Sequence, residues 1–334
     1  MRVVVADKVY VGEPTVELEA AGTDAELQCF DRTDEVPDEA WRQADGIVTY
    51  RGPAVVNSKA ALFDNCRIIV RAGVGYDGLD LAALGARGIA VCNVPDYGTT
   101  EVADHAMALM LALRRGIASY DRRLREAPAE HWTWRGAPCV ARLRGRQFGV
   151  IGLGRIGMAA ARRARAFDMD VAFFDPYLPD GVDLATGYMR YQSAEDLVAN
   201  SDVVTVHTPL TNETTGLIGA SLLSHFRPGA IVINTARGPV VDLDALYDAL
   251  KNGSLGGAAL DVLPTEPPVA HPLLDAHGQG EDWLEGRLIL TPHAAFYSAE
   301  GLRDMRYKGT ATVVEFLKSG TLRNCVNAAF LKRD

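Results

Sequence analysis

Short runs of apolar and β-branched residues alternate with helix-patterned stretches along almost the whole chain, and this alternation constrains the fold more than any other feature. In the first hundred residues the predicted strands are Val3–Ala6, Glu26–Phe30, Gly46–Tyr50, Arg67–Val70 and Ile89–Val94. Helical patterns fall between them, around Glu13–Ala21, Asp38–Ala44, Ser58–Asp64 and Asp80–Ala86. A second series of strands is predicted at Gln147–Ile151, Val171–Phe174, Asp202–Val206, Ala230–Asn234, Gly257–Val262 and Leu288–Thr291. Strands separated by helices form βα units, whose strands run parallel. Most of the second series are continuous apolar runs, as expected of strands covered on both faces. The fold class is therefore α/β with mostly parallel sheets, and 334 residues suit two domains.

Three further segments complete the pattern. A long helix is predicted from about Thr100 to Arg125, with Val102, Ala106, Leu109, Met110 and Leu113 on one face. The stretch Ala127–Arg146, with Trp132 and Trp134, reads as a connection. A last helix, Ala299–Lys318, and a short strand at Cys325–Asn327 follow the second series, and their place suggests a tail that packs back on the first domain.

Composition removes several classes of function. The chain has 34 Lys and Arg against 43 Asp and Glu, a net charge of −9. Wrapping nucleic acid needs a basic face, so no nucleic-acid partner is expected. The five cysteines (Cys29, Cys66, Cys92, Cys139, Cys325) are widely spaced, with no CxxC pair and no zinc spacing. They read as buried free thiols in a reducing compartment, and no metal site is expected. The opening MRVVVADKVYVG has too short an apolar run for a signal peptide, and no apolar stretch approaches the roughly 18 residues of a membrane span. A soluble, cytoplasmic protein is expected.

The cofactor signal lies in FGVIGLGRIGMAAARRARAF, where Gly152, Gly154 and Gly157 form G-x-G-x-x-G between a strand and a helix. The first glycine suits a tight turn, the second lets the backbone approach a pyrophosphate, and the third lets the helix pack closely. The helix start, with Arg155 and Ile156, offers free N–H groups and a positive dipole to the phosphates. The next strand ends at Asp175, where a carboxylate accepts hydrogen bonds from ribose hydroxyls and repels a 2′-phosphate. Pro176 and Tyr177 follow, with no cation among them, which favours NAD over NADP.

Three chemically capable residues fall just past strand ends: Arg237 in NTARG, Glu266 in DVLPTEPP and His293 in TPHAAFYS. Ligands of open α/β sheets bind at those ends. The set suits hydride transfer at a hydroxyl-bearing carbon. The histidine exchanges the hydroxyl proton, the carboxylate orients the histidine, and the arginine grips a substrate carboxylate. Each also has a plain alternative: Arg237 as a partner of loop carbonyls, Glu266 as a turn residue. His207 in TVHTP ends a strand too and is a rival acid–base group; the remaining histidines read as structural or solvated.

Together IGLGRIG, FFDPYLPDG, NTARG, ALDVLPTEPP and TPHAAFYS resemble the D-2-hydroxyacid dehydrogenase family. The resemblance runs from about RIIVRAGVGYDGLD to NCVN, and RAGVGYDGLD, IAVCNVP, PHAAFYS and NCVN are most similar to its C-terminal binding protein branch. It implies two Rossmann-like, doubly wound parallel-sheet domains. Residues 1–99 and 295–334 would form a discontinuous, flavodoxin-like substrate domain, residues 100–294 the NAD-binding domain, and the protein a homodimer. It implies that Arg237, Glu266 and His293 are catalytic and that Asp261 holds the nicotinamide carboxamide. Thr208, Pro209, Thr235 and Ala236 would line the cofactor cleft, and Arg71, Val74, Gly75 and Phe296 would meet the substrate.

Departures from the branch are Phe296 in place of the tryptophan of the animal proteins, a long stretch Pro268–Gly286, and no long C-terminal tail, which argues against a nuclear role. The resulting expectation is an NAD-dependent enzyme that interconverts a small 2-keto acid and a 2-hydroxy acid, its D configuration resting on the resemblance. Two alternatives stand beside it: an NADH-sensing, peptide-binding corepressor-like protein, and a relative acting on formate or phosphite. A formate enzyme of the family is expected to carry glutamine at the position of Glu266.

Overall fold

The structure is a computed structural model describing residues 1–331; the last three residues of the expected 295–334 segment lie outside the described residues. The chain divides into two compact units, Met1–Gly98 with the stretch from Tyr297 onward, and Thr99–Phe296. Each is an α/β unit with one wholly parallel sheet.

The first unit holds β1 (Arg2–Val5), β2 (Glu26–Cys29), β3 (Gly46–Thr49), β4 (Ile68–Arg71) and β5 (Ala90–Asn93). Their order is β2-β1-β3-β4-β5, all parallel, so the winding reverses between β1 and β3. Asp7, just past β1, closes that point. Its carboxylate accepts hydrogen bonds from Thr49 Oγ1 (2.9 Å), the Tyr50 N–H (2.8 Å) and the Arg51 N–H. The helix Ala299–Ser319 packs on β3, β4 and the helix Thr15–Ala21. Its Arg306 grips Glu17 with two hydrogen bonds of 2.8 and 2.7 Å, and Glu17 is 0% exposed. A buried ion pair thus makes the tail part of the first unit's core.

The second unit holds β6 (Gln147–Ile151), β7 (Asp170–Phe174), β8 (Met189–Arg190), β9 (Val203–Val206), β10 (Ile231–Asn234), β11 (Gly257–Leu260) and β12 (Leu288–Leu290). Their order is β12-β11-β10-β9-β6-β7-β8, and the winding reverses between β6 and β9. β9, β10 and β11 are buried at every position, because helices cover both faces of the sheet. The helix Thr99–Arg115 packs against β10, β11, β12 and the helix Arg155–Ala166.

Three local expectations fail for identifiable reasons. The apolar period of Thr100–Arg125 continues through Gly116, but that glycine has φ 68°, so two helices form, Thr99–Arg115 and Ile117–Glu126. The helix expected at Ser58–Asp64 lies earlier, at Pro53–Ser58, where Pro53 occupies the first turn and needs no N–H partner. A 3₁₀ turn, Ala60–Leu62, follows it. Cys325–Asn327 is no strand: a single bridge joins Cys325 to Cys92, and the Asn327 side chain takes the remaining ladder groups, accepting from Val91 N–H at 2.8 Å and donating to Ile89 O at 3.0 Å. β8 has two residues, too few to give a readable period. The stretch Pro268–Gly286 contains the helix Pro272–Gln279 and the 3₁₀ turn Asp282–Leu284.

Among the described residues no helix is long and apolar enough to cross a membrane. Among them, too, no group of three or more His, Cys, Asp or Glu side chains is placed to hold a metal ion.

Candidate active site

The carboxyl edge of the second sheet gathers two adjoining groups of residues. The first surrounds the winding reversal. Gly152 leaves β6 with φ 88°, and a Cβ there would lie 2.9 Å from the carbonyl oxygen of His207 at the end of β9. A Cβ on Gly157 would lie 2.2 Å from Gly152 O, so the helix Arg155–Ala166 can seat against its own turn only with glycine at that position. Gly154 opens on free space, and no side chain caps the helix start. Arg155 is exposed and Ile156 half-buried. Backbone N–H groups are therefore presented at a positive helix end with room before them.

Asp175, past β7, is tied to this turn. Its two oxygens accept from the N–H groups of Leu153 and Tyr177, each at 3.0 Å. Across the reversal, Thr208 Oγ1 and Thr235 Oγ1 are buried with no hydrogen-bond partner, at the ends of β9 and β10. Buried polar groups are normally satisfied. Two orphaned hydroxyls beside a glycine cradle and a carboxylate fit a polar, phosphate-bearing dinucleotide. Pro209 accepts Thr214 Oγ1 at 2.7 Å, and Ala236 N–H donates to Asn234 Oδ1 at 2.9 Å, which fixes the loop edges.

The second group carries the chemistry. His293 Nδ1 lies 2.6 Å from Glu266 Oε2, although the two are 27 residues apart. Glu266 Oε1 accepts the Leu263 N–H at 2.9 Å, so both oxygens are engaged. Burial pushes the Glu266 carboxyl up, but the His293 hydrogen bond, the Leu263 N–H and the charges of His293 and Arg237 outweigh it. The group is held below the usual carboxylate range. The His293 side chain is 44% exposed, and engagement of Nδ1 leaves Nε2 for a substrate. Its ring meets Phe296 edge-on at 6.2 Å.

Arg237 donates through Nη1 to Ala236 O at 2.8 Å, and its carbonyl accepts Asn234 Nδ2 at 2.9 Å. The next residue, Gly238, was not singled out from the sequence. A Cβ there would lie 1.9 Å from the Leu263 carbonyl carbon, so glycine lets the Arg237 loop lie against the Glu266 loop.

His293 has φ 53°, the left-handed region that costs a non-glycine residue energy. Asp261 holds it there. This carboxylate is 1% exposed and accepts from the N–H groups of Ala294 and Ala295, each at 2.9 Å, and from Thr291 Oγ1 at 2.6 Å. Its backbone carbonyl accepts the His293 N–H at 2.7 Å. A carboxylate has about four acceptor sites, so one remains for a further donor. His105 Nε2 lies 3.0 Å from Thr291 Oγ1 and so supports the same turn. Sequence reading placed His105 among structural or solvated histidines. Its signal was a position on the apolar face of its helix, three residues after Val102 and four before Leu109.

His207 is a poor rival to His293. Nε2 is taken up by Thr205 Oγ1 at 3.0 Å, Nδ1 is buried, and burial pushes the group down to about 4, so the ring is neutral near pH 7. Arg71, the last residue of β4, and Val74 and Gly75, just past its end, belong to the first unit. Arg71 donates to Ala72 O at 2.9 Å, and Val74 O accepts Asn93 Nδ2 at 2.6 Å.

A family model described as D-isomer specific 2-hydroxyacid dehydrogenase, NAD binding domain, matches residues 107–295. A D-3-phosphoglycerate dehydrogenase of Archaeoglobus fulgidus is 40% identical over 264 residues, 79% of this chain and 47% of that protein. Its counterpart from Methanocaldococcus jannaschii is 34% identical over 286 residues, 86% of this chain and 52% of that protein. The chain thus spans about half the length of these relatives. Among solved structures, an NADPH-dependent glyoxylate/hydroxypyruvate reductase of Sinorhizobium meliloti, in complex with NADP and malonate, matches with a TM-score of 0.82 and 30% identity over 100% of this chain and 99% of that one. D-lactate dehydrogenase of Aquifex aeolicus, complexed with NAD and lactic acid, matches with a TM-score of 0.79 and 28% identity over 95% of this chain and 96% of that one.

Proposed function

The chain belongs to the D-2-hydroxyacid dehydrogenase family, and from that premise we propose that it is an NAD-dependent oxidoreductase interconverting a 2-keto acid and the D-2-hydroxy acid. The observation that carries this reading is the 2.6 Å contact between His293 Nδ1 and Glu266, with Arg237 on the adjoining loop. A bound nicotinamide dinucleotide supplies or accepts the hydride. The chain's own residues do the rest. During reduction, His293 Nε2 gives its proton to the oxygen that gains charge, and Glu266 steadies the charged ring. Arg237 pairs with the substrate's carboxylate and draws charge toward the keto oxygen. The family resemblance supports Arg71 and the Val74 and Gly75 amides as further carboxylate ligands, and Phe296 as a wall for the substrate side chain.

The test is NADH oxidation over a panel of keto acids: pyruvate, glyoxylate, hydroxypyruvate and phosphohydroxypyruvate. Turnover of at least one is expected. Tight NADH binding with no turnover of any would overturn the enzyme reading in favour of the peptide-binding one, which the dehydrogenase relatives do not favour.

The choice of NAD(H) rests on Asp175 and on Arg190. That arginine lies near the Asp175 turn, but it donates to the carbonyls of Asp175 (3.1 Å), Leu178 (2.8 Å) and Pro179 (3.1 Å). Its terminal nitrogens are thereby committed to backbone carbonyls. Asp175→Ala is expected to weaken NADH binding and narrow the gap in kcat/KM between NADH and NADPH. Equal wild-type efficiency with the two cofactors would refute the assignment.

The proposed setting is the cytoplasm, supported by five unpaired cysteines. The proposed assembly is a homodimer. Trp132 and Trp134 are 82% and 79% exposed, and large aromatic rings left in water mark interaction surfaces. Sedimentation equilibrium is expected to give a dimer, and the double variant Trp132→Ser, Trp134→Ser a monomer.

A further inference from the structure

The amino edge of the second unit's sheet, opposite the strand ends bearing Arg237 and His293, contains a cavity of about 140 Å³. It lies where β6, β9 and β10 begin, about 13 Å of strand from the candidate active site. Arg114, Arg142, Arg146 and Asp202 supply its charged lining, and Leu143 and Met169 are among its apolar walls.

Arg114 is 6% exposed. Its guanidinium donates to the carbonyls of Cys139 and Gly229, each at 3.2 Å, and of Asp202. All three acceptors are neutral, and among the described residues no carboxylate lies within ion-pair distance of this cation. The nearest candidate, Asp202, is committed elsewhere. It accepts the Gln147 N–H at 2.9 Å and pairs with Arg146 at 3.3 Å and Arg227 at 3.5 Å. Arg142 has no hydrogen-bond or ion-pair partner among the described residues. Three guanidinium groups therefore line the cavity with a single carboxylate, and that carboxylate is already paired with Arg146 and Arg227. Burial lowers the Arg114 pKa and outweighs Cys139 and the Asp202 charge, which raise it; the charge of Arg146 lowers it further. A buried cation whose nearest carboxylate is shared with two other arginines is under-compensated, and it gains from an anion placed beside it.

We infer that this cavity binds a small oxyanion, inorganic phosphate or the phosphoryl group of a larger molecule, between Arg114 on its inner wall and Arg142 and Arg146 beside it. Guanidinium groups present donors in a planar fork that matches phosphate oxygens. The site shares no residue with the glycine turn, so it stands apart from the proposed reaction.

Thermal unfolding of the NADH-saturated protein tests it, because the dinucleotide then blocks phosphate from the glycine turn. Repeating each titration without dinucleotide keeps the result independent of the cofactor assignment. Inorganic phosphate is expected to raise Tm by a few degrees more than chloride at equal ionic strength, as a ligand well above its Kd does. Arg142→Ala should remove most of that excess and Arg142→Lys should keep part of it; the exposed, unpartnered Arg142 side chain makes both variants safe for folding. Equal shifts from phosphate and chloride would overturn the proposal, and so would an unchanged excess in Arg142→Ala, since the anion would then sit elsewhere. Glycerol phosphate distinguishes the sources: a larger shift than with phosphate assigns the site to a phosphoryl group, an equal one to the free ion, and both support it.

Discussion

Replacing His293 with alanine is expected to lower keto-acid turnover by about 10²–10⁴-fold, the range that general acid–base catalysis supplies. Dinucleotide affinity should be unchanged, because the glycine turn and Asp175 lie on other loops of the sheet. The loss should appear in kcat and kcat/KM together, the pattern of an interaction made in the transition state. His207→Ala should keep the wild-type pH profile, since burial holds that ring neutral down to about pH 4. An active His293→Ala beside an inactive His207→Ala would transfer the acid–base role to His207.

The pH dependence follows from the same pair. Reduction takes a proton from His293 and oxidation returns one, so reduction should fall and oxidation should rise as pH increases. Glu266 is held below the ordinary carboxylate range, so its charge persists to low pH and the pair survives there. Glu266→Gln removes a negative charge 2.6 Å from Nδ1 and should move both profiles to lower pH. Profiles that stay in place would show that the carboxylate only orients the ring.

The parts of this site that could be read from sequence are those encoded locally. Gly152, Gly154 and Gly157 lie at one strand–helix junction, and Asp175, Arg237, Glu266 and His293 each fall within a few residues past an apolar run, so strand ends located them. The supports around His293 were not legible, because they join distant residues. His105 reaches Thr291 across 186 positions, and the Asp261 carboxylate reaches the Ala294 N–H across 33. Nothing in a helical period distinguishes a histidine that packs from one that props a loop. The left-handed turn at His293 was equally silent, since φ above zero is foreseen for glycine and not for histidine. The same limit applies in the fold. Strand order in both sheets is set by which buried faces meet, and the place of the tail in the first unit was suggested only by what precedes it.

That tail is held by a contact with a large expected energy. Arg306→Ala should destabilise the first unit by about 3–5 kcal/mol, the usual cost of leaving one member of a buried ion pair alone. Glu17 is 0% exposed and also accepts the Tyr50 hydroxyl at 3.0 Å, while the Arg306 guanidinium stacks 3.3 Å from the Tyr10 ring centre. Burial raises the Glu17 carboxyl, but the hydrogen bonds and charge of Arg306 outweigh it and hold the group below the usual range. A depressed folded pKa means that the pair's stabilisation is present above the unfolded carboxylate's pKa and is lost as pH falls through the folded one. Without Arg306 only the burial effect and weaker partners remain, so the folded pKa should rise above the unfolded one. The sign of linkage then reverses: this carboxyl stabilises the variant at low pH and loses that contribution as pH rises through its new value. Urea unfolding at several pH values separates the cases. An overpacked or cavity-bearing core would shift stability equally at every pH, whereas an orphaned Glu17 predicts the reversed slope. Glu17→Leu with Arg306→Leu, which buries neither charge, should recover most of the loss.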